Sequence, residues 1–100
     1  MSKSIIQDNE LKRCFFSKVT CGKSGEPLDQ HHILTGALRD FADQEGLWIW
    51  VTRDIHYWLH NTAYGVMVQR SLLKRIAQLK YEETHSREEW MRHVHKNYDV

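Results

Sequence analysis

The run LWIWV (47–51) sets the tightest limit on what this chain can fold into. Five consecutive apolar residues, aromatic and β-branched, leave no polar face to solvent. Such a run is too short for a buried helix and reads as a buried strand. A chain of 100 residues supports one modest core, so this strand must lie in it and the chain forms one domain over 1–100.

A strand needs a partner, and DQHHIL (29–34) is the nearest extended candidate. The turn CGKSGEP (21–27), with two Gly, a Ser and the only Pro, precedes it. Between the two extended segments lies TGALRDFADQEG (35–46). Its residues 37–43 could form one helical turn, but the flanking Gly36 and Gly46 predict a loop. Together these segments predict an irregular hairpin. Upstream, residues 1–13 are polar at the start and predicted to fray, with ELKRCFF as a short helix or strand.

Helical signals follow the second strand. Thr52 is placed to cap a helix over 53–61, with Asp54 favourable in its first turn and Gly65 as a stop. A longer helix is expected from Val66, with Met67, Leu72, Leu73, Ile76 and Leu79 largely on one apolar stripe. Ser86 and Glu89 have capping-box spacing and open a last helix running to about Lys96. The helical part thus covers 66–96.

No segment has the apolar length needed to span a bilayer, and MSKSIIQDNELKRC lacks the apolar centre of a signal peptide. A cytoplasmic protein with no membrane partner is expected. The formal net charge of +1 does not announce nucleic acid, but charge is unevenly placed. Arg70, Lys74, Arg75 and Lys80 occur without an intervening acid, and Glu82, Glu83, Glu88 and Glu89 follow. The basic stretch reads either as a binding face or as a solvated helix surface. Cys14 and Cys21 lack the second pair of a zinc knuckle, and are expected to be buried free thiols.

Histidine carries the chemistry. His56 and His60 are spaced i, i+4, which puts both imidazoles on one helix face. Two such groups can converge on a metal ion, with a third ligand from an adjacent strand. DQHHIL offers His31 and His32, whose side chains point to opposite faces if the stretch is extended. One of them can join the metal while the other accepts a proton. Trp48, Trp50, Tyr57 and Trp58 read as base-stacking groups or, for most of them, as core. His85, His93 and His95 show no ligand spacing and read as helix-surface residues.

DQHHIL followed by LWIWVTRDIHYWLHN resembles the HNH, or ββα-metal, endonuclease family and is similar to the nuclease domains of colicins. The resemblance covers about residues 28–62. It implies an α+β fold, a ββα-metal core with additional C-terminal helices. It implies that His31, His56 and His60 hold a divalent metal and that His32 is the general base. Arg39, in the loop bordering the cleft, is a phosphate-contact candidate; its other reading is a surface arginine paired with Asp40 or Asp43. Arg53 is a second such candidate. LLKRIAQLKYEETHSREEWMRHVHKNYDV is similar to the tails of small phage-encoded HNH proteins, which implies a phage or prophage source. The chain departs from the family in two places. VTRDI lacks the cysteines of a structural zinc site, and ADQEGL lacks the family's middle Asn, for which Asp43 or Gln44 is the available substitute.

The expected function is therefore a metal-dependent endonuclease or nickase acting on DNA. An all-histidine set suits Zn or Ni for occupancy, with Mg or Mn as candidate ions for activity. The alternative is a catalytically inactive HNH-fold binding module, such as a phage-encoded inhibitor or packaging adaptor, with a phage or host protein as partner. A third reading is a closed four-histidine zinc site serving stability alone. The short, Trp-rich chain is compatible with a dimer.

Overall fold

The structure, a computed structural model, describes residues 2–100. The chain is a small α+β protein. Its sheet has two antiparallel strands, β1 (Asp29–His32) and β2 (Trp48–Val51). The register pairs His31 with Ile49 and His32 with Trp48. Five helical segments follow in chain order: α1 (Arg39–Glu45), α2 (Arg53–Asn61), α3 (Ala63–Met67), α4 (Lys74–Tyr81) and α5 (Arg87–Val94). A π-helical stretch, Val68–Leu73, joins α3 to α4, so 63–81 is one continuous rod. The sheet is thus packed among four helical rods. No helix among the described residues is long and apolar enough to cross a membrane.

The core gathers β2, the end of β1 and the helices. Ile33, Leu34, Leu47, Ile49, Val51, Leu59, Leu73, Ala77, Tyr81 and Trp90 are all buried in it. Fully burying side chains of this size contributes about 1.5–3 kcal/mol each. Trp48 is buried and Trp50 half-buried under the Lys12 ammonium, 4.0 Å from the ring centroid. Of these four aromatic residues, most of which were expected in the core, Tyr57 and Trp58 lie on the exposed side of α2.

The segment between the strands is helical where a loop was expected. A 3-10 turn, Gly36–Leu38, leads directly into α1. Gly46 ends α1 in the left-handed region at φ 72°, its N–H donating to the Ala42 carbonyl. It is a helix terminator, the role glycine takes most often just past a helix end.

The N-terminal segment is not frayed. β2 has an outer edge with unpaired backbone groups, and residues 4–15 bond to them. Ser4 Oγ donates to the Trp48 carbonyl (2.6 Å), and the Trp50 N–H donates to Gln7 Oε1 (2.7 Å). The Phe15 N–H donates to the Trp50 carbonyl (2.7 Å). This irregular strap takes the place of a third strand and covers an edge that would otherwise invite pairing. ELKRCFF accordingly forms neither helix nor strand. Cys14, within the strap, is buried, but Cys21 is exposed, against the expectation that both are buried.

Thr52 caps α2, its Oγ1 accepting from the Ile55 N–H at 3.3 Å. The break after α2 falls at Thr62, whose extended backbone and Oγ1, accepting from Gly65 N–H at 3.0 Å, start α3. Gly65 is therefore inside a helix and not a stop. A Cβ there would overlap the Trp58 carbonyl, so glycine lets α3 pack against the end of α2.

The expected stripe on the long rod holds only at Leu73 and Ile76, which pack in or against the core. Leu73 is buried, but Met67 and Leu72 are 54% and 50% exposed, and Leu79 is exposed too. Gln69, Leu73, Ala77 and Tyr81 form the inward face instead. Ser86 and Glu89 form the expected capping box, and α5 ends at Val94 with His95 in the left-handed region. His85 and His93 stack on Tyr81 (centroids 4.0 Å apart) and Phe41 (4.5 Å).

Candidate metal centre

Two elements bring three histidines together. His31 comes from β1, and His56 and His60 come from successive turns of α2. Each can offer one donor atom such that all three lie within 4.8 Å of one another. The rings pack edge-on, with His31 5.3 Å from both partners and His56 5.0 Å from His60, centroid to centroid. His31 is 1% exposed, His56 half-buried and His60 exposed, so the cluster opens to solvent on one side.

Hydrogen bonds decide which nitrogen of each ring is available. Gln69, on the π-helical stretch, donates from Nε2 to the Ile33 carbonyl at 2.6 Å, which fixes its amide orientation. Its Oε1 then faces His31 Nε2 at 2.6 Å, so that nitrogen carries the proton and Nδ1 keeps its lone pair. Asp29 Oδ2 lies 3.0 Å from His56 Nδ1; a carboxylate only accepts, so Nδ1 donates and Nε2 is free. Outer partners of this kind orient metal-binding histidines and raise their basicity.

Burial pushes the His31 imidazole down to about 4, and the neighbouring His56, His60 and His32 add to this against the Gln69 hydrogen bond. His60 is also lowered, by burial and by His56. His31 is therefore neutral near pH 7, the form in which imidazole binds metal. Three imidazole nitrogen donors with two rings already oriented fit a divalent ion of the Zn or Ni type.

His32 stands outside this donor set. Its Nε2 lies 3.2 Å from Asp43 Oδ1 on α1, which leaves Nδ1 unengaged. A closed site using all four histidines is not formed. His32 nevertheless borders the same cleft, of about 220 Å³, as His31, His56 and His60. Gln30, Thr35, Gly36 and Arg39 complete its wall. Arg39 is exposed and pairs with neither Asp40 nor Asp43, since Asp43 is engaged by His32. Arg53, at the start of α2, is exposed and does not line this cleft.

All the residues expected in the site thus surround one cleft, apart from Arg53. Two contributors were not anticipated. Asp29 had a signal, because it sits two residues before His31 and so shares its strand face. Gln69 had none, being 38 positions from His31 in sequence. No family model, curated protein or solved structure matches the chain.

Proposed function

We propose that this chain is a metal-dependent endonuclease or nickase of the HNH, ββα-metal type, hydrolysing DNA phosphodiester bonds. The observation that carries the reading is the division of four histidines around one cleft. Three converge as metal donors, and the fourth is excluded from them and paired with a carboxylate. The strand, connecting segment, strand and helix that present them follow the order the family resemblance requires.

His31, His56 and His60 would hold the ion, which when bound supplies Lewis-acid stabilisation of charge on the phosphate and leaving oxygen. His32 is the general base. With Nε2–H directed at Asp43, its Nδ1 lone pair takes a proton from the attacking water. The water oxygen forms a new bond to phosphorus as the ester P–O bond breaks, and the leaving oxygen is protonated from solvent. Asp43 holds the imidazole orientation and stabilises the imidazolium that forms, as a carboxylate does behind a catalytic histidine. It thereby takes over the buttressing expected of the family's missing Asn. Arg39 offers a planar, unpaired guanidinium to the non-bridging phosphate oxygens.

The test is plasmid nicking and linearisation with Mg, Mn, Zn or Ni, comparing wild type with His32→Ala, alongside calorimetric metal titration. His32→Ala is expected to bind metal as wild type does and to lose at least about 100-fold in rate. His56→Ala is expected to lose metal binding. Equal cleavage by wild type and His32→Ala, or no cleavage with any of the ions, refutes the nuclease reading.

A further inference from the structure

A second cleft, of about 210 Å³, continues from the first. Thr35 and His60 line both, so the two share a wall. The second is completed by Leu59, Val66, Gln69, Arg70 and Lys74. No Asp or Glu lines either cleft. The basic stretch of the long rod divides here. Arg75 pairs with Asp99 at 3.5 Å and Lys80 with Glu83 at 3.4 Å, whereas Arg70 and Lys74 form no ion pair with any described residue. Arg70 is exposed, and the Lys74 ammonium lies 5.4 Å from the Tyr98 ring centroid. Arg39 is unpaired at the far side of the first cleft.

One rod, 63–81, serves both clefts. Gln69 turns inward to His31, while Arg70 and then Lys74, one turn on, face the second cleft. Cations without an ion pair in a groove whose lining holds no acid favour an anion there. A single phosphate would fill only one of the two clefts. Charges at both ends suit a chain of phosphates.

We infer that Arg70 and Lys74 form a second phosphate subsite beside the histidine cleft, so that the groove takes a polynucleotide backbone across at least two phosphates, with DNA as the substrate. This rests on the nuclease reading for its account of the first cleft. It implies that small single-phosphate diesters are poor substrates next to DNA, and that binding falls steeply with salt.

The experiment is fluorescence anisotropy with a labelled 12-base-pair DNA duplex, in chelator at pH 7.5, over a series of salt concentrations. Arg70→Gln/Lys74→Gln is compared with Lys80→Gln/Arg92→Gln, which removes the same charge from residues that have acid partners. Arg70→Gln alone guards against a folding defect, because its side chain is exposed. The expected result is at least about 10-fold weaker binding for the first pair at 0.1 M salt. Its log–log salt slope should be shallower by about 2, the value for two lost phosphate contacts. Arg70→Gln alone should shift the slope by about 1. Equal weakening in both pairs, an unchanged slope, or no binding by wild type overturns the subsite. Plasmid cleavage by wild type, with each of Mg, Mn, Zn and Ni, reads the chemistry of the histidine cleft separately from the binding slope. If it fails while DNA binding still depends on Arg70 and Lys74, the nuclease reading falls and the subsite stands.

Discussion

Without a bound ion, lowering the pH should weaken the fold through His31. In the metal-free protein its imidazole is held at about 4, against an ordinary value of 6.5, because burial disfavours the charged form. The unfolded chain binds a proton below pH 6.5 that the folded chain refuses until about pH 4. Stability is therefore complete above pH 6.5 and is lost as pH falls through the window between the two values. The full loss is about 3 kcal/mol, from a value of about 4 in the folded chain against 6.5 in the unfolded one. By pH 5 the loss is already about 2 kcal/mol, or roughly 8–16 °C in Tm for a domain of this size. His60, lowered in the same sense, adds to it. Carboxylates such as Glu82, held below their ordinary range by Arg87, act only at lower pH. The assay is urea denaturation in chelator at pH 7.5, 6.5, 5.5 and 5.0, with His31→Gln as the reference that lacks the titrating ring. Wild type should lose stability across this series and His31→Gln should lose clearly less. A flat wild-type curve, or parallel curves for the two proteins, would refute the argument that burial keeps His31 neutral.

Gln69→Leu leaves the His31 Nε2–H and the Ile33 carbonyl without partners. It should cost about 2–5 kcal/mol by denaturation and weaken metal binding about 10- to 100-fold by calorimetry. Gly65→Ala forces a Cβ against the Trp58 carbonyl and should cost about 1–3 kcal/mol, read as a fall in Tm. Asp43→Asn keeps the shape but removes the charge facing His32, so cleavage should fall at least about 10-fold while metal affinity measured by titration stays at the wild-type value. Excess Zn or Ni at about 100 times Kd should stabilise wild type by about 2.7 kcal/mol in thermal melts, and His56→Ala should abolish the shift.

The parts of the fold legible in the sequence are those written in local pattern. Thr52 followed by nine residues without a breaker gave α2 its full length, and with it the His56–His60 face. LWIWV identified β2 because an apolar run of that length has few other uses. The inter-strand helix was hidden because Gly46 signals both a loop and a helix end, and only the backbone shows which. The apolar stripe on the long rod was misplaced for a different reason. A π-helical turn holds more residues than an α turn, so it shifts the phase of every side chain after it. A period counted at 3.6 from Met67, itself exposed, therefore misses the inward positions Leu73, Ala77 and Tyr81. The strap and Gln69 were illegible because polar side chains bonding to distant backbone or histidine leave no periodicity at all.

The strap also sets an order of assembly. Ser4 and Gln7 bond to groups 44 and 43 positions away, so closing those loops costs entropy before any contact repays it. Their acceptors and donors belong to β2, which has nothing to offer until it has paired with β1. Residues 4–15 are therefore expected to dock after the hairpin and to open before it. In hydrogen exchange, the Phe15 and Ile5 amides should exchange through local opening well before those of β1, even though they bond to the same sheet or to the residue leading into it.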